Sequence, residues 1–198
     1  MFGGDTLFLQ RFLKVAGYDP GPIDGQFGQK TAAALERFRD ASDAVSAQYR
    51  RLDSRSEGCI LTLLPGTQKA ARKFMDLAQS VNLGATVKII SGTRTYREQA
   101  AIFAQGRTRP GRIVTKAGPG QSNHNFGLAF DVGLFDGQEY VDREKPYETL
   151  GRFIGDKVEG LEWGIRVNGD IDLPHYQIRT GRELADVRRH FEAGSAYA

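Results

Sequence analysis

Three residues of this chain have the types and spacing of a small metal centre. His124 sits in the stretch Gln121-Ser122-Asn123-His124-Asn125-Phe126-Gly127, and seven residues later Asp131 falls inside an apolar run. From Leu128 that run alternates. Leu128, Phe130, Val132 and Leu134 point to one face of a strand, and Ala129, Asp131 and Gly133 point to the other. The first set is a core face. The second is small residues around one carboxylate, which is costly unless a cation or donor meets it. His175 follows Pro174, whose ring fixes the backbone and so aims the imidazole. His124, Asp131 and His175 would form a two-His-one-carboxylate set with a free fourth position, the ligand count of a catalytic zinc. Spacing alone is equally compatible with three unrelated polar residues. The third histidine, His190, lies late in a helix beside Arg188 and Arg189 and is assigned no function.

These side chains need a scaffold, and 198 residues suffice for one good core or two small domains. At 40% hydrophobic and 26% charged, the composition is that of an ordinary globular protein. One cysteine, Cys59, excludes an internal disulfide and a Cys-rich zinc site. It reads as a small, partly buried apolar residue. The net charge of +3 is a mild bias toward anionic partners and selects none. No basic run with interleaved aromatics suggests a nucleic-acid groove. No stretch approaches the ~20 apolar residues of a membrane span, and the N-terminus does not read as a signal peptide. The expectation is therefore synthesis in the cytoplasm, with any extracytoplasmic work needing another exit.

In chain order, Asp5 caps a first helix with Phe8, Leu9, Phe12, Leu13 and Ala16 inward, stopped by Gly17. Residues 17–28 hold four glycines and two prolines, a fixed and turn-rich loop. A second helix from about Lys30 turns Ala34, Leu35 and Phe38 inward. Its spacing continues through Ala41, Val45, Tyr49 and Leu52, suggesting a polar helical connector. Thr67 is expected to cap a helix ending near Gly84. Val87 to Ser91 reads as a buried strand. Thr95 and Glu98 form a capping box for a helix stopping at Gly106. Residues 106–121 form a long loop with four cationic residues, Arg107, Arg109, Arg112 and Lys116. Tyr147, Leu150, Ile154 and Val158 mark another helix. Residues 171–178 are extended, and Thr180 and Glu183 read as a second capping box for a last helix. Helices and strands mix without a βαβ repeat, so the fold class is α+β.

Two resemblances follow from these residues. Leu9-Gln10, Gly17-Tyr18, Gly21-x-Ile23-Asp24-Gly25-x-Phe27-Gly28, Lys30-Thr31 and Leu35-x-x-Phe38 resemble the peptidoglycan-binding domain of many cell-wall hydrolases. Ser122-x-His124-x-x-Gly127-x-Ala129-x-Asp131, followed by Asp172-x-Pro174-His175, resembles the superfamily of zinc D,D-carboxypeptidases (VanY-like) and L-alanyl-D-glutamate endopeptidases. Ser91-Gly92-Thr93-Arg94-Thr95, Glu98-Gln99, Gly106-Arg107-Thr108, Gly111-x-Ile113-Val114-Thr115 and Leu161-Glu162-Trp163-Gly164 point to the endopeptidase branch, the type found in bacteriophage endolysins. Ile165-Arg166-Val167 departs from the pattern of relatives, which usually have Gly-Asp-Trp.

The resemblances imply a small all-α peptidoglycan-binding domain over residues 1–40 and, over 59–198, a zinc peptidase domain of the D,D-peptidase/hedgehog type with a small antiparallel sheet and flanking helices, and the helical spacing between them makes 41–58 a helical connector. The peptidase resemblance implies one Zn²⁺ on His124, Asp131 and His175, with Asp172 as general base. It matches Arg94 to an arginine that binds substrate or steadies the oxyanion, and Ser122 to a residue lining the substrate pocket. Asp170 and Glu162 are lesser candidates for the base, and Trp163 reads as core. Asp172 raises a difficulty. Three residues from His175, it would face the other side of a regular strand unless Pro174 bends the chain. The expectation is a monomeric, endolysin-like hydrolase of bacterial peptidoglycan that reaches the wall with a holin-type partner. A D,D-carboxypeptidase and an inactive wall-binding protein are the alternatives.

Overall fold

The computed structural model describes residues 1–164, 166–167 and 170–197, and the side chains of Arg166, Val167 and Asp170 are outside that description. Ile165 of the Ile165-Arg166-Val167 departure therefore lies outside the described residues, as do the side chains of Arg166, Val167 and the Asp170 candidate.

The N-terminal part holds α1 (Thr6–Val15) and α2 (Gln29–Ser46). The Asp5 side chain accepts from the backbone N–H of Phe8, as an N-cap should. Residues 17–28 run between the helices around Gln10, which is almost fully buried. Its amide accepts from the N–H groups of Asp24 and Gly25 and donates to Asp24, Gln26 and Thr31. One side chain thus satisfies the polar backbone of a loop too short to satisfy itself.

α2 stops at Ser46 and does not continue as a connector. Asp53 instead caps a separate helix, α3 (Ser54–Leu61), accepting from the N–H groups of Arg55 and Ser56. Thr67 is not a cap either. α4 (Pro65–Ala78) starts at Pro65, whose missing N–H costs nothing in the first turn, and ends six residues before the turn at Gly84.

The sheet has five strands. β1 (Thr86–Ser91), β2 (Ala129–Asp136), β7 (His175–Ile178) and β4 (Leu161–Trp163) lie side by side, and β3 (Glu139–Val141) returns along β2 as a hairpin. Its pairings are antiparallel. A separate ribbon pairs β5 (Arg166–Val167) with β6 (Asp170–Ile171). Three helices complete the described chain. α5 (Tyr96–Ala104) opens on the full Thr95–Glu98 capping box. α6 (Glu144–Ile154) buries Tyr147, Leu150 and Ile154. α7 (Leu184–Ala193) follows Glu183, and the second capping box is absent: Thr180 accepts from Arg182 N–H instead. The architecture is the expected α+β, helices flanking a small antiparallel sheet.

Two apolar cores form. The first lies between α4, α6 and the sheet face carrying Phe130, Val132, Leu134 and Tyr176. The second joins α1 and α2 to Leu64, Phe126, Leu128, Val187, Phe191 and Tyr197. Glu57 and Arg72 pair beside the first core, Arg72 almost fully buried, with Nη2 to Oε2 at 2.7 Å.

Candidate metal centre

His124 lies in a short 3₁₀ turn, Asn123–Phe126, that precedes β2. Ser122 caps the turn through its hydroxyl, and Gly127 ends it in the left-handed region at φ +71°. Only glycine fits there: a Cβ would stand 2.9 Å from Leu64 Cγ and 3.0 Å from Phe12 Cε2. Asp131 and His175 are cross-strand partners on β2 and β7, so their side chains share one face.

The three donor atoms converge. His124 Nε2 is 3.0 Å from Asp131 Oδ1 and 3.2 Å from His175 Nδ1, and His175 Nδ1 is 3.2 Å from Asp131 Oδ1. A tetrahedral zinc with ligand distances of about 2.0–2.1 Å sets its donors about 3.3 Å apart, so this triangle fits one face of such a site. The outer hydrogen bonds support the same reading. His124 Nδ1 is 2.8 Å from the carbonyl oxygen of Gly92, and His175 Nε2 is 3.2 Å from Gln177 Oε1. Each of those nitrogens donates its proton outward, as oxygen is the only partner it has there. The two inward nitrogens and Oδ1 then present only lone pairs to one point, an arrangement that a cation satisfies and a hydrogen bond does not. Among the described residues this is the group of histidines, cysteines and acids that could hold a metal.

Charge follows the geometry. Burial lowers the pKa of His124 against the pull of Asp131, keeping the ring neutral. Burial would raise Asp131, but His124 and His175 outweigh it and hold the carboxyl well below the usual carboxylate range. A neutral imidazole and an ionised carboxylate are the states that ligation needs. Burial also opposes charge on His175, yet the negative charge of Asp131 beside it leaves its pKa raised.

A cleft of about 960 Å³ opens over these atoms, lined by Arg94, Ser122, Asp172 and Pro174 as well as the triad. Arg94 precedes the α5 cap, and its Nη2 lies 3.6 Å from Asp131 Oδ2. Asp172 shares the cleft because residues 172–175 make a hydrogen-bonded turn, with His175 N–H donating to Asp172 O at 3.2 Å. The bend expected at Pro174 is present, and Trp163 braces it by donating from Nε1 to Leu173 O at 2.8 Å. Desolvation raises the pKa of Asp172, against the opposing pull of His175. Glu162 is placed elsewhere. Its carboxylate accepts from Gln177 Nε2 at 3.2 Å and Arg179 Nε at 2.6 Å, behind His175. His190 faces Ser195, away from the cleft.

Sequence reasoning missed Gln177 and the Gly92 carbonyl, the two acceptors that meet the outer nitrogens of His175 and His124. Gln177 was findable: it stands two residues after His175 on a strand, and therefore on the same face.

The chain resembles known proteins in two segments. Residues 62–156 match the VanY family, described as D-alanyl-D-alanine carboxypeptidase, and residues 3–41 match a family described as putative peptidoglycan binding domain. The chain thus resembles a VanY-like domain in its middle part and a peptidoglycan-binding domain in its N-terminal helices. Among individual relatives, the peptidoglycan L-alanyl-D-glutamate endopeptidase CwlK of Bacillus subtilis (strain 168) is 37% identical over 111 residues, 51% of this chain and 65% of that protein. The chain therefore spans just under two thirds of that relative. The bifunctional D-Ala-D-Ala dipeptidase and carboxypeptidase VanXYC of Enterococcus gallinarum is 27% identical over 139 residues, 58% of this chain and 72% of that protein. The crystal structure of the Serratia marcescens L-Ala D-Glu endopeptidase ChiX aligns with 68% of this chain and 94% of that one, at 20% identity and a TM-score of 0.48.

Proposed function

We propose that the protein is a zinc-dependent peptidoglycan hydrolase that cleaves the L-Ala–D-Glu bond of the wall stem peptide. The observation that carries this reading is the convergence of three lone-pair donors, His124 Nε2, Asp131 Oδ1 and His175 Nδ1, on one point at the floor of an open cleft. The similarity to CwlK supports the choice of bond.

His124, Asp131 and His175 would hold Zn²⁺, which would supply a Lewis acid and lower the pKa of a bound water to about 7. The rest falls to the protein. The Asp172 carboxylate takes a proton from the attacking water and returns it to the amine nitrogen as the amide breaks. Arg94 places positive charge where the carbonyl oxygen becomes an oxyanion. Ser122 lines the cleft beside the peptide and holds the turn that carries His124.

We assign wall binding to residues 1–40, the connection to 41–58 and the peptidase to 59–198, in a monomer with bacterial peptidoglycan as its partner. The loop at residues 17–28, rigid around Gln10, leaves Phe27 exposed for such contact. Two wall-directed units in one chain suit a bacteriolytic, endolysin-like enzyme of a bacteriophage, reaching the wall with a holin-type partner. The deciding experiment is a mass spectrum of the products from purified wall. New N-terminal D-Glu on the released peptides is the expected outcome. Free D-Ala as sole product would make the protein a D,D-carboxypeptidase, and turbidity loss indifferent to chelator would remove the metal from the reaction.

A further inference from the structure

The N-terminal helix α1 does more than belong to a wall-binding unit, because it packs on the turn that carries a metal ligand. Phe12 is fully buried, and its ring lies against Gly127, close enough that a single added methyl at that glycine would meet Cε2 at 3.0 Å. Phe12 cannot retreat. Phe2 meets it edge-on at 5.0 Å between centroids, and Phe38 of α2 does the same at 5.4 Å. Phe126, the last residue of the turn, packs edge-on against Phe191 at 5.4 Å and Tyr197 at 6.4 Å.

The backbone of the turn is held just as fully. His124 O accepts from Arg94 N–H at 3.0 Å, and Gly127 O accepts from Leu64 N–H at 3.1 Å. Phe126 O accepts from the buried Tyr197 hydroxyl at 2.6 Å. The Asn125 side chain donates to Arg94 O and accepts from Gly120 N–H. Rings therefore pack against the turn at Phe126 and Gly127 while hydrogen bonds fix its carbonyls. Metal sites tolerate little freedom in a ligand, since donors must meet the ion together.

We propose that Phe12 and Tyr197 are positioning residues for His124, so that the N-terminal helix is part of the scaffold of the metal site. The inference rests on the metal site proposed above. Phe12 touches Gly127, Gly127 ends the turn, and the turn sets the point at which Nε2 meets Oδ1 and Nδ1. Truncation of residues 1–40 then disables the site as well as wall binding. This differs from a detachable module, whose loss would weaken wall affinity and spare the cleavage of a small soluble muropeptide.

The test uses the full chain with Phe12→Ala, Phe12→Leu and Tyr197→Phe. Zinc affinity is measured by competition with a chelating dye, and the visible spectrum of Co²⁺-loaded protein reports ligand geometry. Wall pull-down and thermal unfolding are recorded beside them. Loss of an outer-shell contact typically costs about 10- to 100-fold in metal affinity, and Phe12→Ala is expected in that range with an altered Co²⁺ spectrum. Phe12→Leu, which refills most of the space, should recover both. Tyr197→Phe deletes one hydrogen bond, keeps the ring, and should shift the spectrum with a smaller loss. If Phe12→Ala does not fold, Tyr197→Phe alone decides. Wild-type zinc affinity and an unchanged Co²⁺ spectrum in folded Phe12→Ala, or in Tyr197→Phe where that variant decides, would overturn the proposal. Full metal binding by His124→Ala would instead overturn the metal assignment beneath it.

Discussion

Asp131 and His175 stand directly opposite one another on β2 and β7, with Oδ1 and Nδ1 3.2 Å apart. A one-residue slip in that pairing would send both side chains to opposite faces, so the register of two strands is also a condition for the site.

If His124, Asp131 and His175 hold the metal as proposed, three protein ligands leave no spare. His124→Ala, Asp131→Ala and His175→Ala are each expected to lose stoichiometric zinc and wall-degrading activity while keeping the helical circular-dichroism signal. Metal analysis that finds full zinc in two of them would dismiss this ligand set.

Gln177 receives the outward proton of His175, and Glu162 holds Gln177 in turn. Gln177→Leu keeps the volume and deletes the acceptor. Zinc affinity or activity should fall about 10- to 100-fold, the usual cost of losing such a partner. Dye-competition titration measures it, and a wild-type constant would make Gln177 a bystander.

Asp172 lines the same cleft as His124, Asp131 and His175. Asp172→Asn cannot accept a proton, so turnover should drop by about 10²- to 10⁴-fold while metal content stays whole. Near-normal turnover in this variant, with Glu162→Gln inactive, would transfer the role.

The Glu57–Arg72 pair makes stability depend on pH. Burial would raise the pKa of Glu57, but Arg72 outweighs it and holds the folded value below the ordinary 4.5. A depressed carboxyl stabilises the fold above its unfolded pKa, and this is lost as pH falls through the folded value. Glu57→Gln leaves the buried guanidinium short of its partner and should cost about 1–3 kcal/mol at pH 7. Urea unfolding at several pH values should show the gap to wild type closing below about pH 4.5. A gap that persists unchanged at acid pH would place its origin in packing.

Local features were legible in the sequence where local physics decides them. The alternation from Leu128 to Leu134 placed Asp131 on the right face, because a strand has only two. Asp5 and the Thr95–Glu98 box were readable because a cap is satisfied within three residues. Asp53 is the same chemistry and was overlooked, since the polar spacing around it continued the pattern of α2. Thr67 and Thr180 have the right side chains, but Pro65 starts one helix earlier and Thr180 serves a turn. The pairing of Asp131 with His175, and the Gly92 acceptor behind His124, depend on chain segments that meet only after folding, and no short window contains them.

The brace around His124 also fixes when the site can exist. Its parts come from α1, Leu64, Arg94 and Tyr197, and the contact from Tyr197 to Phe126 spans 71 positions. His124 and His175 are separated by 51. Contacts this distant are slow to form, because the loop between them must close before any contact repays the lost freedom. During synthesis residue 197 leaves the ribosome after every other part of the brace. The geometry around His124 is therefore complete only once residue 197 has emerged, and a nascent chain with α1, α2 and most of the sheet already folded would still lack part of the brace.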